Sequence, residues 1–189
     1  MQKPKIQVIL GSIREGRSGI KVAEWFMNAI KDFDGAEVEL VDLIDYPMPL
    51  LADAISPMAR GKNKNPNPAV QKWLDKIDSA DGYVFITAEY NHSVPGALKN
   101  AIDYGNAEWA EKPVGFVGYG SFAGGSRAVE HLRQIAAELN MYDIRDEILI
   151  PIIWAAFDEQ GNLAHSDSLT VTANAIISKV TSLAVKLKS

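Results

Sequence analysis

The chain has 189 residues and a mass of 20.7 kDa. That length fits one domain, 1–189, and lets it bury roughly 70% of the surface its unfolded form exposes, without staples. The absence of cysteine excludes a disulfide scaffold, thiolate metal sites, iron–sulfur ligation and a cysteine nucleophile. A net charge of -5, a pI near 5.2, 47% apolar residues and a mean hydropathy of -0.06 describe a soluble globular chain with no electrostatic pull toward nucleic acid or anionic lipid.

The first ten residues, MQKPKIQVIL, hold only a short apolar run interrupted by Gln7, too short for a signal-peptide core or a membrane span. The cytoplasm is therefore the expected location. Within that run, residues 5–10 are β-branched and apolar and lead straight into Gly11, which predicts a strand ending in a tight turn. Over 18–33 the apolar positions Ile20, Ala23, Phe26, Met27 and Ile30 fall at helical spacing, and Gly35 ends the run. Residues 36–42 alternate apolar and acidic, as in a strand near a sheet edge.

The proline- and asparagine-rich stretch 45–68 predicts one long loop with room for a short helix, either a functional lid or a floppy excursion. A helix over 69–79, a strongly buried strand over 82–87 and a helix over 95–104, with Pro95 in its first turn, follow. Further on come a strand over 113–119, a helix over 126–139, a strand over 144–150 and a last helix over 168–186. Strands and helices that take turns, with the central strands apolar throughout, predict an α/β fold with a parallel sheet covered on both faces. In such sheets ligands lie beyond the carboxyl ends of the strands, where strand order reverses, which directs attention to the loops after the first, third and fourth strands.

The first of these loops reads Gly11-Ser12-Ile13-Arg14-Glu15-Gly16-Arg17-Ser18-Gly19. Backbone N–H groups at a helix start, two hydroxyls and two guanidinium groups suit a phosphate monoester. The loop is neither a P-loop nor a GxGxxG turn. The second, from Thr87 through Glu89-Tyr90-Asn91-His92-Ser93-Val94-Pro95-Gly96 to Tyr104, is a polar, aromatic-bearing loop ahead of a helix and suits a planar ligand. The third, Gly118-Tyr119-Gly120-Ser121-Phe122-Ala123-Gly124-Gly125-Ser126-Arg127, offers glycines through which a backbone can lie against a flat ring.

The second loop resembles the PEYNxSxPGxLKNAID signature of NADPH-dependent FMN reductases, the quinone and chromate reductase family of flavoproteins, with Ala88 where that family usually has proline. The first loop is similar to the family's GSxRxxS phosphate motif and the third to its glycine-rich loop, so the resemblance covers nearly the whole chain. It implies a flavodoxin-like three-layer α/β/α sandwich with a five-stranded parallel sheet in the order 2-1-3-4-5. It further implies that Ser12, Arg14, Arg17, Ser18, Gly19 and Ile20 hold the phosphate of bound FMN. Glu89, Tyr90, Asn91 and His92 would line the isoalloxazine ring, and Ser121, Gly124 and Gly125 would cover its pyrimidine side.

The chemistry so implied takes a hydride from NADPH or NADH and passes two electrons to a quinone, a second flavin, an azo compound or a chromate-like oxyanion, by ping-pong kinetics. No dedicated acid or base and no metal is expected. A homodimer or homotetramer is implied too, with loop 46–60 and helix 97–104 with Trp109 as the contact candidates. Two other readings stay open: a non-enzymatic flavodoxin-type electron carrier, against which Arg14 and Arg17 speak, and a binding module that has lost the cofactor.

Outside the loops, Asp143, Asp146 and Glu147 read as solvated edge charge or a cation site, and His131 as a surface residue. The four tryptophans read as core or subunit-contact residues rather than ring-stackers, except that Trp109, in a loop beside the helix over 95–104, fits either role. Lys99 and Arg127 are candidates to meet a 2′-phosphate, Lys99 being equally placed to pair with Asp103.

Overall fold

The computed structural model describes residues 3–188. Five strands, β1 (Lys5–Leu10), β2 (Glu37–Asp42), β3 (Gly82–Ala88), β4 (Pro113–Tyr119) and β5 (Tyr142–Ile150), form one all-parallel sheet in the order β2-β1-β3-β4-β5. The two central strands β3 and β4 are buried at every position, whereas edge strand β2 exposes Glu37 and Leu40. The hydropathy pattern therefore reports strand position directly, because only a central strand of a covered sheet is dry on both faces. The flavodoxin-like order implied by the resemblance is the one observed.

Helices α1 (Gly19–Ala29) and α6 (Ser166–Leu187) cover one face around Phe26, Val84, Val117 and Ile177. Helices α3 (Pro68–Asp78), α4 (Gly96–Tyr104) and α5 (Ser126–Glu138) cover the other around Trp73, Phe85, Trp109 and Phe116. Among the described residues, α6 alone has the length and apolarity of a membrane span. Its Ala173, Ile176, Ile177, Val180 and Ala184 pack into the core, which accounts for that composition.

Several boundaries differ from the sequence reading. The first helix ends at Ala29 rather than near residue 33, because the chain tightens there into i→i+3 bonds, Lys31 N–H to Asn28 O and Phe33 N–H to Ile30 O. Pro95 is the residue before α4, in extended conformation, and not its first turn. Strand β5 begins two residues early, where Tyr142 N–H donates to Lys112 O, and α6 begins two residues early at Ser166.

Loop 45–68 is tied down rather than floppy. It follows a 3-10 turn at Leu43–Asp45 and contains the short helix α2 (Pro57–Arg60), which is capped by Ser56 Oγ. Arg60 is 8% exposed and spans from Asn63 O to Tyr104 O and the carboxylate of Glu108, 4% exposed, at 2.9 Å. From α4, Asn100 donates to Pro49 O at 2.8 Å and accepts from Leu51 N–H at 2.9 Å. Asn65 reaches Asp53, and Asn67 caps α3.

Trp109 is wholly buried, its indole donating to Ile102 O and its ring packed on Tyr83, Phe85 and Trp73. It is a core residue and leaves the contact candidates. The acidic trio is charge-matched: Arg133 bridges Asp143 and Glu147 at 2.6 and 2.8 Å, and Lys179 pairs with Asp146.

Candidate functional site

The carboxyl edge of the sheet brings together the loops after β1, β3 and β4. Backbone bonds join them: Gly11 N–H to Ile86 O at 2.9 Å, Glu89 N–H to Tyr119 O at 3.0 Å and Gly120 N–H to Ile150 O at 3.1 Å. A side-chain bond adds to these, since the buried Ser12 Oγ and the Tyr90 hydroxyl lie 2.7 Å apart. Ala88, in the place of the expected proline, simply continues the ladder opposite Tyr119.

The first loop turns at Gly16, at φ +66, where Arg17 N–H meets Arg14 O. Ser18 stands at the N-cap of α1 with a side chain that makes no capping bond, so its hydroxyl and the first-turn N–H groups remain available at the positive end of the helix dipole. Gly19 opens the helix and Ile20 is partly exposed beside it. Arg14 is exposed and reaches only Glu15 O. Arg17 is 8% exposed; its terminal nitrogen pairs with Asp42 while its buried Nε has no partner. A buried guanidinium N–H left unpaired is costly, and together with the uncapped helix start it fits the demands of a phosphate.

The second loop reverses at Tyr90-Asn91-His92-Ser93. Tyr90 N–H and Ser93 N–H each donate to the other's carbonyl, at 2.9 and 3.0 Å, and both central residues have positive φ, 51 for Asn91 and 66 for His92. This is the pattern of a type I′ hairpin turn, and it turns the Asn91 and His92 N–H groups away from the turn's own bonds. Ser93 Oγ lies 2.9 Å from His131 Nδ1, which fastens the turn to α5.

Glu89 is bound more tightly than its assignment to the ring implies. Its carboxylate accepts Arg127 Nε at 2.7 Å and the Arg127 backbone N–H at 3.2 Å. It thereby caps α5, whose own N-cap, Gly125, carries no side chain to do so. Burial works to raise the Glu89 carboxyl, but the Arg127 hydrogen bonds and charge outweigh it and hold the group below the ordinary carboxylate range. The same pair engages Arg127, and Lys99 pairs with Asp103 at 2.7 and 2.8 Å, the alternative its spacing offered.

In the third loop Gly124 and Gly125 are required first by their own backbone. Gly124 and Gly125 lie at φ +61 and +92, and a Cβ on Gly125 would stand 2.5 Å from Tyr119 N. The chain folds back onto the end of β4, closed by Gly124 N–H and Ile152 N–H on Ser121 O, both at 3.0 Å.

A cleft of about 600 Å³ results, lined by Glu89, Asn91, His92, Ser121, Phe122, Ala123 and Arg127. Four residues of the ring-binding expectation thus share one opening. The phosphate-side residues lie beside it, linked through Ser12 and Tyr90. The sequence reading passed over Phe122, which is 83% exposed at the cleft and meets Trp154 edge-on at 6.4 Å. Trp154 is accordingly a surface residue, not a core one. Tyr119 likewise carries no sequence signal; its buried hydroxyl lies against Gly19 and has no hydrogen-bond partner of regular geometry among the described residues.

Residues 4–155 match the family model for NADPH-dependent FMN reductase. The chain is 32% identical over 191 residues to an NAD(P)H:quinone oxidoreductase of Solanum tuberosum, covering 97% of this chain and 94% of that protein. It is 37% identical over 138 residues to an NAD(P)H-dependent FMN reductase of Schizosaccharomyces pombe, covering 73% and 68%. Among solved structures it resembles the flavoenzyme NAD(P)H:(acceptor) oxidoreductase FerB of Paracoccus denitrificans, with a TM-score of 0.75, 22% identity and coverage of 97% and 98%, a likeness of fold.

Proposed function

The chain belongs to the NADPH-dependent FMN reductase family, and from that premise we propose that it is an FMN-dependent NAD(P)H oxidoreductase passing two electrons to a small acceptor by a ping-pong mechanism. The acceptor classes that fit are a quinone, a free flavin, an azo compound and a chromate-like oxyanion. When bound, FMN supplies the redox chemistry; the protein supplies binding, orientation and electrostatics.

The observation that carries the reading is the juxtaposition of the 600 Å³ cleft with an uncapped helix start and an unpaired buried guanidinium N–H. A planar ring suits the first and a phosphate the second. On this reading Ser12, Arg14, Arg17, Ser18, Gly19 and Ile20 serve the phosphate end, and Tyr90 joins the two halves through Ser12. Asn91 and His92 would offer the ring backbone N–H groups already fixed by the turn's own bonds, donors that would favour an anionic ligand at no cost in reorganisation. Glu89 and Ser121 form walls, and Gly124 and Gly125 set the curvature that places Ser121.

One cleft must admit donor and acceptor in turn. Initial rates measured against NADPH at several fixed concentrations of a soluble quinone should therefore give parallel double-reciprocal lines. Lines that intersect would require both substrates to bind together and would contradict the single-cleft mechanism.

The proposal extends to assembly as a homo-oligomer. Loop 46–60 leaves Leu50 81% exposed, with Ile55 and Met58 also in solvent. Beside it an apolar groove of about 420 Å³ runs between Ile13, Ile44, Tyr46, Met48 and α4. A second copy of the chain is the occupant that suits this groove, which Ile13 of the first loop also lines. Sedimentation at micromolar concentration should show a species of at least twice the chain mass; a stable monomer would contradict this.

A further inference from the structure

We propose that the Tyr119 hydroxyl donates a hydrogen bond to the phosphate end of the bound flavin nucleotide and so makes the site select FMN over riboflavin. The inference rests on the FMN reading above and adds to it a residue at the end of β4, outside the phosphate loop itself.

Three observations converge. Tyr119 is 4% exposed, yet its hydroxyl has no hydrogen-bond partner of regular geometry among the described residues, the neighbouring Ser12 hydroxyl being bonded to Tyr90 instead. Native proteins rarely leave such a group unpaired, and each instance calls for an explanation. The hydroxyl also presses against Gly19, the first residue of α1, so closely that a Cβ there would collide with it. It therefore sits at the positive end of α1, where Ser18 provides no cap. Finally, the Nε of Arg17, on the same loop, is a second buried donor without a partner. Two unpaired donors from different elements thus belong to the surroundings of one uncapped helix start, and an anionic group with several acceptor oxygens is the ligand chemistry that suits all three.

The state of the phenol suits this role. Burial pushes it up to about 12, with Tyr90 adding to the rise and Ser12, Arg17 and Arg14 pulling the other way. It stays a neutral donor at any physiological pH, so it can approach a phosphate without repulsion. Riboflavin, which ends in a neutral hydroxyl, offers only a weaker, uncharged acceptor there and gains little from the contact.

The test is Tyr119→Phe, which keeps the ring in the core and removes only the oxygen. Dissociation constants for FMN and for riboflavin are read by quenching of flavin fluorescence on flavin-free wild type and variant, and thermal unfolding is recorded for both without flavin. The expected result is FMN binding weakened roughly tenfold or more, the scale of a hydrogen bond to a charged group. Riboflavin binding should stay within about twofold, and the flavin-free variant should be at least as stable as wild type, since an unpaired buried hydroxyl has been removed. Unchanged FMN binding, or equal loss of both flavins, would overturn the assignment. A variant less stable than wild type would overturn it as well, since the hydroxyl would then have a partner inside the protein. Wild type that binds neither flavin would instead overturn the FMN reading on which it rests.

Discussion

Glu108→Gln is expected to lower the unfolding free energy by about 3–5 kcal/mol, the usual cost of leaving one member of a buried ion pair uncompensated. Arg60 and Glu108 are almost fully buried and meet at 2.9 Å, with Arg60 also serving Tyr104 O and Asn63 O. Glu108 has a second duty, since its other oxygen accepts Asn106 N–H at 3.0 Å. For a chain of this size the loss corresponds to a fall in Tm of roughly 6–20 °C. The double replacement Arg60→Met with Glu108→Met should cost much less than Glu108→Gln, because no charge then remains in the interior. Urea denaturation of wild type and the two variants checks this, and a change below about 1 kcal/mol for Glu108→Gln would mean that the pair is solvated rather than buried. The consequence reaches the surface proposed for assembly, since Arg60 anchors the segment that carries Leu50, Ile55 and Met58.

Gly125→Ala is expected to cost about 3 kcal/mol or more and to weaken FMN binding roughly tenfold or beyond in whatever protein still folds. The added Cβ would stand 2.5 Å from Tyr119 N and 2.7 Å from Gly118 C, and both are backbone atoms of a central strand that cannot give way. The φ of +92 adds strain of its own. Relief has to come from the loop, which moves Ser121 and Phe122 in the cleft wall and unseats the Glu89 cap on α5. Gly16→Ala is the comparison: its φ is +66, but nothing lies within 4 Å of the new Cβ, so the cost should stay near about 1 kcal/mol. Thermal unfolding with FMN titration separates the two effects. Equal behaviour of the two variants would show that the clash at Gly125 is not what fixes the third loop.

The strand–helix alternation is legible because burial on both faces leaves a continuous apolar run, as in GYVFITA of β3 and PVGFVGY of β4. The loop motifs are legible for a related reason: residues at the carboxyl edge are chosen for chemistry and stand out against such runs. What stays hidden depends on partners far away in the chain. Loop 45–68 shows only prolines and asparagines, while its anchorage comes from Glu108, Tyr104 and Asn100 on the far side of β3. Trp109 lies in a segment that reads as a surface loop, and its burial depends on how Tyr83, Phe85 and Trp73 stack around it. Glu89 carries the same letters whether it faces a ring or a helix terminus; only the adjacency of β3 and β4 puts it over α5. The unpaired hydroxyl of Tyr119 has no sequence signature, because a tyrosine at the end of a buried strand is otherwise an ordinary core residue.

The central claim is that the three loops hold FMN and expose it to a nicotinamide donor. A visible absorption spectrum of purified protein, taken after incubation with FMN and desalting and again after NADPH is added under nitrogen, tests it most directly. Flavin bands should survive desalting in stoichiometric amount and bleach when NADPH is added. Colourless protein after desalting would contradict the cofactor site, and retained bands that NADPH leaves unchanged would contradict the reductase activity.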